Sequence, residues 1–180
     1  MRTLASVFAI ALAGLATPAA ALELTSSSFG ADGKFADKNV AGTFGCTGGN
    51  MSPQLTWSGA PEGTKSFAVT MYDPDAPTGS GFWHWLVYNL PPTATELPEG
   101  AGSDGSTLPD GAVQGRNDAG MNAYMGPCPP EGDDAHRYVI TVFAVDVEAL
   151  PAELPSAAVL GFNLHFHTLD KASVTYTYGR

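Results

Sequence analysis

Apolar and polar residues alternate strictly over residues 66–72, with Phe67, Val69 and Met71 on one side and Ala68, Thr70 and Tyr72 on the other. A period of two carried by β-branched and aromatic residues predicts a strand. Asp73 continues the first parity and lies where that face runs out. The next run, residues 82–90, is apolar on both sides. Trp83, Trp85 and Val87 fall on one face; Leu86, Tyr88 and Leu90 fall on the other, together with His84. Such a strand is expected to be central and covered on both faces. Residues 137–147 read as a further core strand, and residues 172–178 alternate again as a closing one. Shorter strands are expected over 22–29, 54–57 and 113–117. The helical period appears once, over 156–169, as a stripe of Val159, Phe162, Phe166 and Leu169 widened by Leu160 and Leu164. Ser156 is its N-cap, with Pro155 before it. Residues 91–111 and 122–134 read as long surface loops.

The 21 glycines and 14 prolines break the chain into short runs. With no internal repeat and no linker, this predicts one mostly β domain with a minor helical part (α+β minor).

Residues 1–21 stand apart from that domain. Arg2 precedes an apolar run from Leu4 to Leu15, and Ala19-Ala20-Ala21 offers a small-residue cleavage site. The order fits a secretory signal peptide cut after Ala21, leaving 22–180 as a periplasmic or secreted domain. The apolar run is short for a bilayer span and no later one qualifies, so no transmembrane segment is expected in the mature chain. The full chain carries a formal net charge of −10. That balance gives no electrostatic footprint for nucleic acid or for an anionic membrane surface. The two cysteines, Cys46 and Cys128, sit in Gly/Pro-rich loops. In an exported chain they suggest one disulfide; two free buried thiols are the alternative.

The candidate chemistry gathers where strands end. Asp73-Pro74-Asp75-Ala76-Pro77 places two carboxylates in a rigid turn, in which either X–Pro bond is a candidate for cis. Asp is also a common turn residue that bonds nearby backbone N–H groups. His84 lies inside an apolar strand, and His136 begins one in parity with Tyr138. Asp73, Asp75, His84 and His136 together suit either a divalent metal or acid–base work, and spacing does not decide between them. A Cys128 nucleophile paired with a histidine would be disabled by a bridge to Cys46. His165 and His167 are two apart on a helix, point about 200° apart and are read as structural.

Taken in order, the motifs Asn50-Met-Ser-Pro53, Asp73-Pro-Asp-Ala-Pro77, Phe82-Trp-His-Trp-Leu-Val87, Gly126-Pro-Cys-Pro-Pro130, His136-Arg-Tyr138 and Gly161-Phe-Asn-Leu-His-Phe-His167 resemble the phosphatidylethanolamine-binding protein (PEBP) family. They are most similar to its bacterial branch, the Raf kinase inhibitor-like proteins. The resemblance implies a central, mainly antiparallel β-sheet packed on a smaller sheet, with peripheral helices. It also implies a small cavity for anions such as phosphate, acetate or a phosphoryl head group. By motif, Asp73, Asp75 and His84 would line it, Gly126, Cys128 and Pro129 would form the rim, and His136 and Tyr138 another wall. Tyr176 or Tyr178 would close it. The reading is a binding protein without catalysis, cofactor or metal, whose partner is a small anionic or phosphorylated ligand, including a phospholipid head group. An interaction protein inhibiting a protease or another enzyme is the alternative, and a hydrolase using the Asp/His cluster a second. Kinase-regulatory roles belong to eukaryotic surfaces and are not carried over.

Overall fold

A computed structural model describes residues 21–151, 153–154 and 156–180. The expected signal peptide, apart from Ala21, lies outside the described residues, as does Pro155.

The long alternating runs become the strands of a five-stranded antiparallel sheet. They are β3 (Ser66–Asp73), β4 (Phe82–Leu90), β7 (His136–Val145) and β8 (Thr168–Tyr178), with the short β6 (Val113–Gln114), in the order β6-β4-β3-β7-β8. A second sheet of three short strands, β1 (Glu23–Thr25), β2 (Leu55–Ser58) and β5 (Glu96–Leu97), runs in the order β1-β2-β5. The first strand is thus much shorter than the expected 22–29. The loop expected over 91–111 contains β5 and a single-turn helix α1 (Ala101–Asp104).

The parity read for β3 holds. Phe67, Val69 and Met71 join the main core with Leu55, Trp57 and Ile140. Ala68 faces a second core with Leu86, Tyr88 and Val145 under helix α2 (Ala157–His167). The parity expected for β4 does not hold. Met71 pairs with Trp85 but Tyr72 pairs with Trp83, so His84 is an extra residue in a β-bulge. A bulge re-aims the side chains beside it. Here Trp83 packs in the second core and Trp85 in the main one, where a regular strand would have put both on one face. His84 leaves the side of Leu86 and Tyr88 and turns to that of Asp73.

Helix α2 starts where expected, with the Ser156 hydroxyl accepting from the Val159 N–H. Its buried stripe is Ala157, Leu160 and Leu164, whereas Phe162 and Phe166 are 66% and 63% exposed. The stripe expected to lead is the exposed one because the helix is apolar nearly all round. The tie is broken by what Leu160 and Leu164 meet on the sheet. The chain enters β8 at once after His167, so the closing strand is longer than the expected 172–178. Among the described residues every peptide bond is trans. No helix there is long and apolar enough to cross a membrane.

Candidate functional site

β3, β4 and β7 deliver their chemistry at one end of the large sheet. Asp73 closes β3 and is 2% exposed. Its Oδ1 accepts from the backbone N–H of Asp75 (2.8 Å) and Ala76 (3.1 Å). The turn bonds expected of an Asp-Pro sequence therefore do form, but on one oxygen only. Oδ2 is left to accept from His136 Nδ1 at 2.8 Å. His136 Nε2 lies 3.8 Å from Asp133 Oδ2, so this ring is held between two carboxylates.

His84 is fixed differently. Its Nδ1 lies 2.9 Å from the Met125 carbonyl, which can only accept, so Nδ1 carries the proton. Burial pushes the imidazole below the usual histidine range, against the pull of the Met125 carbonyl and the Asp73 carboxylate. The neutral ring then presents a lone pair at Nε2, 4.0 Å from Asp73 Oδ2. Tyr138 is fully buried, and its hydroxyl has no hydrogen-bond partner among the described residues. Burial first, and the Asp73 charge second, push its pKa far up, so it stays a neutral phenol.

These four side chains meet around a cavity of about 200 Å³. Phe44, Phe82 and Met125 form apolar walls; Ala76, Pro77 and Thr78 come from the turn after β3; Cys128, Pro129 and Pro130 come from the loop before β7. Of the residues singled out from the sequence, Asp73, His84, Cys128, Pro129, His136 and Tyr138 line it. Asp75 points elsewhere. Arg137 donates to it from its backbone N–H (2.9 Å), Nε (2.9 Å) and Nη2 (2.7 Å), which lowers its carboxyl to about 2. Gly126 lies behind the wall. A Cβ there would come within 2.3 Å of the Asn39 carbonyl oxygen, so only glycine lets the two backbones approach. Tyr176 stacks on Phe29 and Tyr178 pairs across the strands with His136, and neither lines the cavity.

The rim is tied twice. A disulfide joins Cys46 to Cys128, with 6.0 Å between their Cα atoms. Arg180 donates to the carbonyls of Pro129 (2.8 Å) and Gly45 (3.2 Å), one in each bridged loop. Phe44, in the left-handed region at φ 55° and 70% exposed, stands beside this bridge. Sequence reasoning missed Phe44 and Asn50. The Asn50 side chain donates to the Tyr124 carbonyl and accepts from the Gly126 N–H, which sets the segment that supplies the Met125 carbonyl to His84. Its motif was visible, but its partner lies 76 residues away.

Among the described residues no group of three His, Cys, Asp or Glu side chains is placed to hold a metal ion. A larger groove of about 460 Å³ lies beside α2. Trp83, Phe143, Leu160 and Leu164 are among its lining residues, and it shares none with the cavity at Asp73.

The family pattern described as phosphatidylethanolamine-binding protein matches residues 25–179. The UPF0098 protein YbcL of Escherichia coli K12 is 48% identical over 180 residues, covering 99% of this chain and 98% of its own. The UPF0098 protein YbhB of the same organism is 48% identical over 155 residues, covering 86% and 98%. The crystal structure of E. coli YbcL, a new member of the mammalian PEBP family by its own description, superposes with a TM-score of 0.85 at 50% identity, over 89% of this chain and 99% of that one. A PEBP homologue from Chlamydia trachomatis superposes with a TM-score of 0.74 at 33% identity, over 89% and 98%.

Proposed function

The chain belongs to the phosphatidylethanolamine-binding protein family, and from that premise we propose that it is an exported binding protein. In this reading its cavity at Asp73, His84, His136 and Tyr138 holds the head of a small phosphorylated or carboxylated ligand without transforming it. One observation carries the reading: a buried hydroxyl unpartnered among the described residues, the second imidazole nitrogen of His84 and a buried carboxylate converge on one small cavity. Buried polar groups are normally satisfied, and a group left open at a cavity is one a ligand satisfies. The apolar walls suit the carbon skeleton behind such a head group. Export is supported by the order of charge, apolar run and small residues in 1–21 and by the Cys46–Cys128 disulfide.

Native mass spectrometry of mature protein purified from the periplasm, beside the His84→Ala variant, tests this. A small bound acid in the wild type that is absent from the variant supports the reading. A protein that leaves the periplasm empty and accepts no phosphoethanolamine, phosphate or acetate overturns it.

A further inference from the structure

The cavity is unusual for an anion site because it is short of donors. Among the described residues neither Lys nor Arg lines it. Three of the four residues 127–130 are prolines, which have no N–H, and the Gly126 N–H is already donated to Asn50. His84 spends its Nδ1 proton on Met125. Among the described side chains that line the cavity, the Tyr138 hydroxyl is the unpartnered donor; His136 has spent Nδ1 on Asp73 and has Nε2 3.8 Å from Asp133. Facing the hydroxyl are two acceptors, His84 Nε2 and Asp73 Oδ2, 4.0 Å apart. A fully ionised oxyanion would set a bare oxygen against a carboxylate and a lone pair. A head group that keeps one proton would instead donate between those acceptors while another of its oxygens accepts from Tyr138.

We infer that this cavity takes its ligand as a singly protonated oxyacid, with the acid O–H directed at His84 Nε2 and Asp73 Oδ2. This deepens the binding reading above and rests on it. The chemistry also ranks ligand classes. A phosphomonoester has its second ionisation near about 6, so keeping one proton at pH 7 costs about tenfold in affinity. A carboxylic acid, with a pKa near about 4.3, would lose several hundredfold. A phosphodiester is a strong acid whose one acid O–H is fully ionised at neutral pH, so it cannot make the contact. The class favoured is a phosphomonoester, not an intact diester lipid head.

Other ionisable groups face the site, and the test must separate them from the ligand. Asp73 comes from β3 and His84 from β4, with Asp118 acting on it; His136 and Tyr138 come from β7, with Asp133 beside His136 and Tyr178 near Tyr138. Phosphorus NMR does so because the shift of bound phosphate reports its own protonation. Mature protein is titrated with methyl phosphate and with dimethyl phosphate at pH 6 and pH 8. The expected results are a bound methyl phosphate signal that keeps the monoanion shift at pH 8, and affinity falling about fifty-fold from pH 6 to pH 8. Dimethyl phosphate should bind at least about tenfold more weakly at pH 6. A bound signal with the dianion shift at pH 8 puts any proton on a histidine and overturns the inference while leaving the binding reading intact. Equal binding of the diester does the same. If methyl phosphate binds at neither pH, the binding reading falls and the inference falls with it.

Discussion

At Tyr138 stability and binding pull in opposite directions. A buried hydroxyl without a partner costs roughly 1–3 kcal/mol. Tyr138→Phe should therefore leave the unliganded protein as stable as before, or more stable by up to about 2 kcal/mol in urea melts, while weakening methyl phosphate binding at least about tenfold. A variant that binds as well as wild type would show that the hydroxyl serves no ligand. His84 gives a pH signature. Because its pKa is lowered in the native state, the unfolded chain takes up a proton through about pH 6.5 that the native chain refuses. The unfolded state binds more protons there, so stability falls as pH drops below about 6.5 and continues to fall toward the native pKa. Urea midpoints measured at pH 7.5 and pH 5.5 should show this loss in wild type. The loss should be smaller in His84→Gln, and an identical loss in the two would contradict the assignment.

The elements show which parts of the structure could be read from residue order. The β3 alternation was legible because its period is local and one face is uniformly apolar. The β4 bulge was not: nothing in Trp83-His84-Trp85 tells a regular strand from one carrying an extra residue, and the answer lies in pairing with Met71 and Tyr72. The site depends on that bulge, because it turns His84 toward Asp73. Helix α2 fails for a different reason. Two apolar stripes overlap on it, and only the sheet chooses between them. Leu160→Ala should cost about 2–4 kcal/mol in chemical denaturation, since it opens a cavity against Ala68, Leu86 and Tyr88. Phe162→Ala, on the exposed face, should stay within about 0.5 kcal/mol. Similar losses at both positions would contradict this burial pattern. Asp75 likewise reads as a site carboxylate in sequence, and only the fold shows Arg137 occupying it.

Across the whole molecule, the Cys46–Cys128 bridge spans 82 residues and joins the two loops at the cavity rim. The chain-entropy estimate for a loop of that length is about 3–5 kcal/mol. The Cys46→Ser/Cys128→Ser double variant should lose about that much stability in denaturant, and a loss below about 1 kcal/mol would mean that Arg180 and the core already hold the loops. The central claim concerns where the ligand sits, and chemical-shift mapping tests it most directly. Phosphoethanolamine added to isotope-labelled mature protein should move the resonances of Asp73, His84, His136, Tyr138 and Cys128 in a saturable way and leave those of Phe162, Phe166 and Lys171 in place. Saturable shifts confined to the α2–β8 face, or no saturable shifts anywhere, would contradict the account.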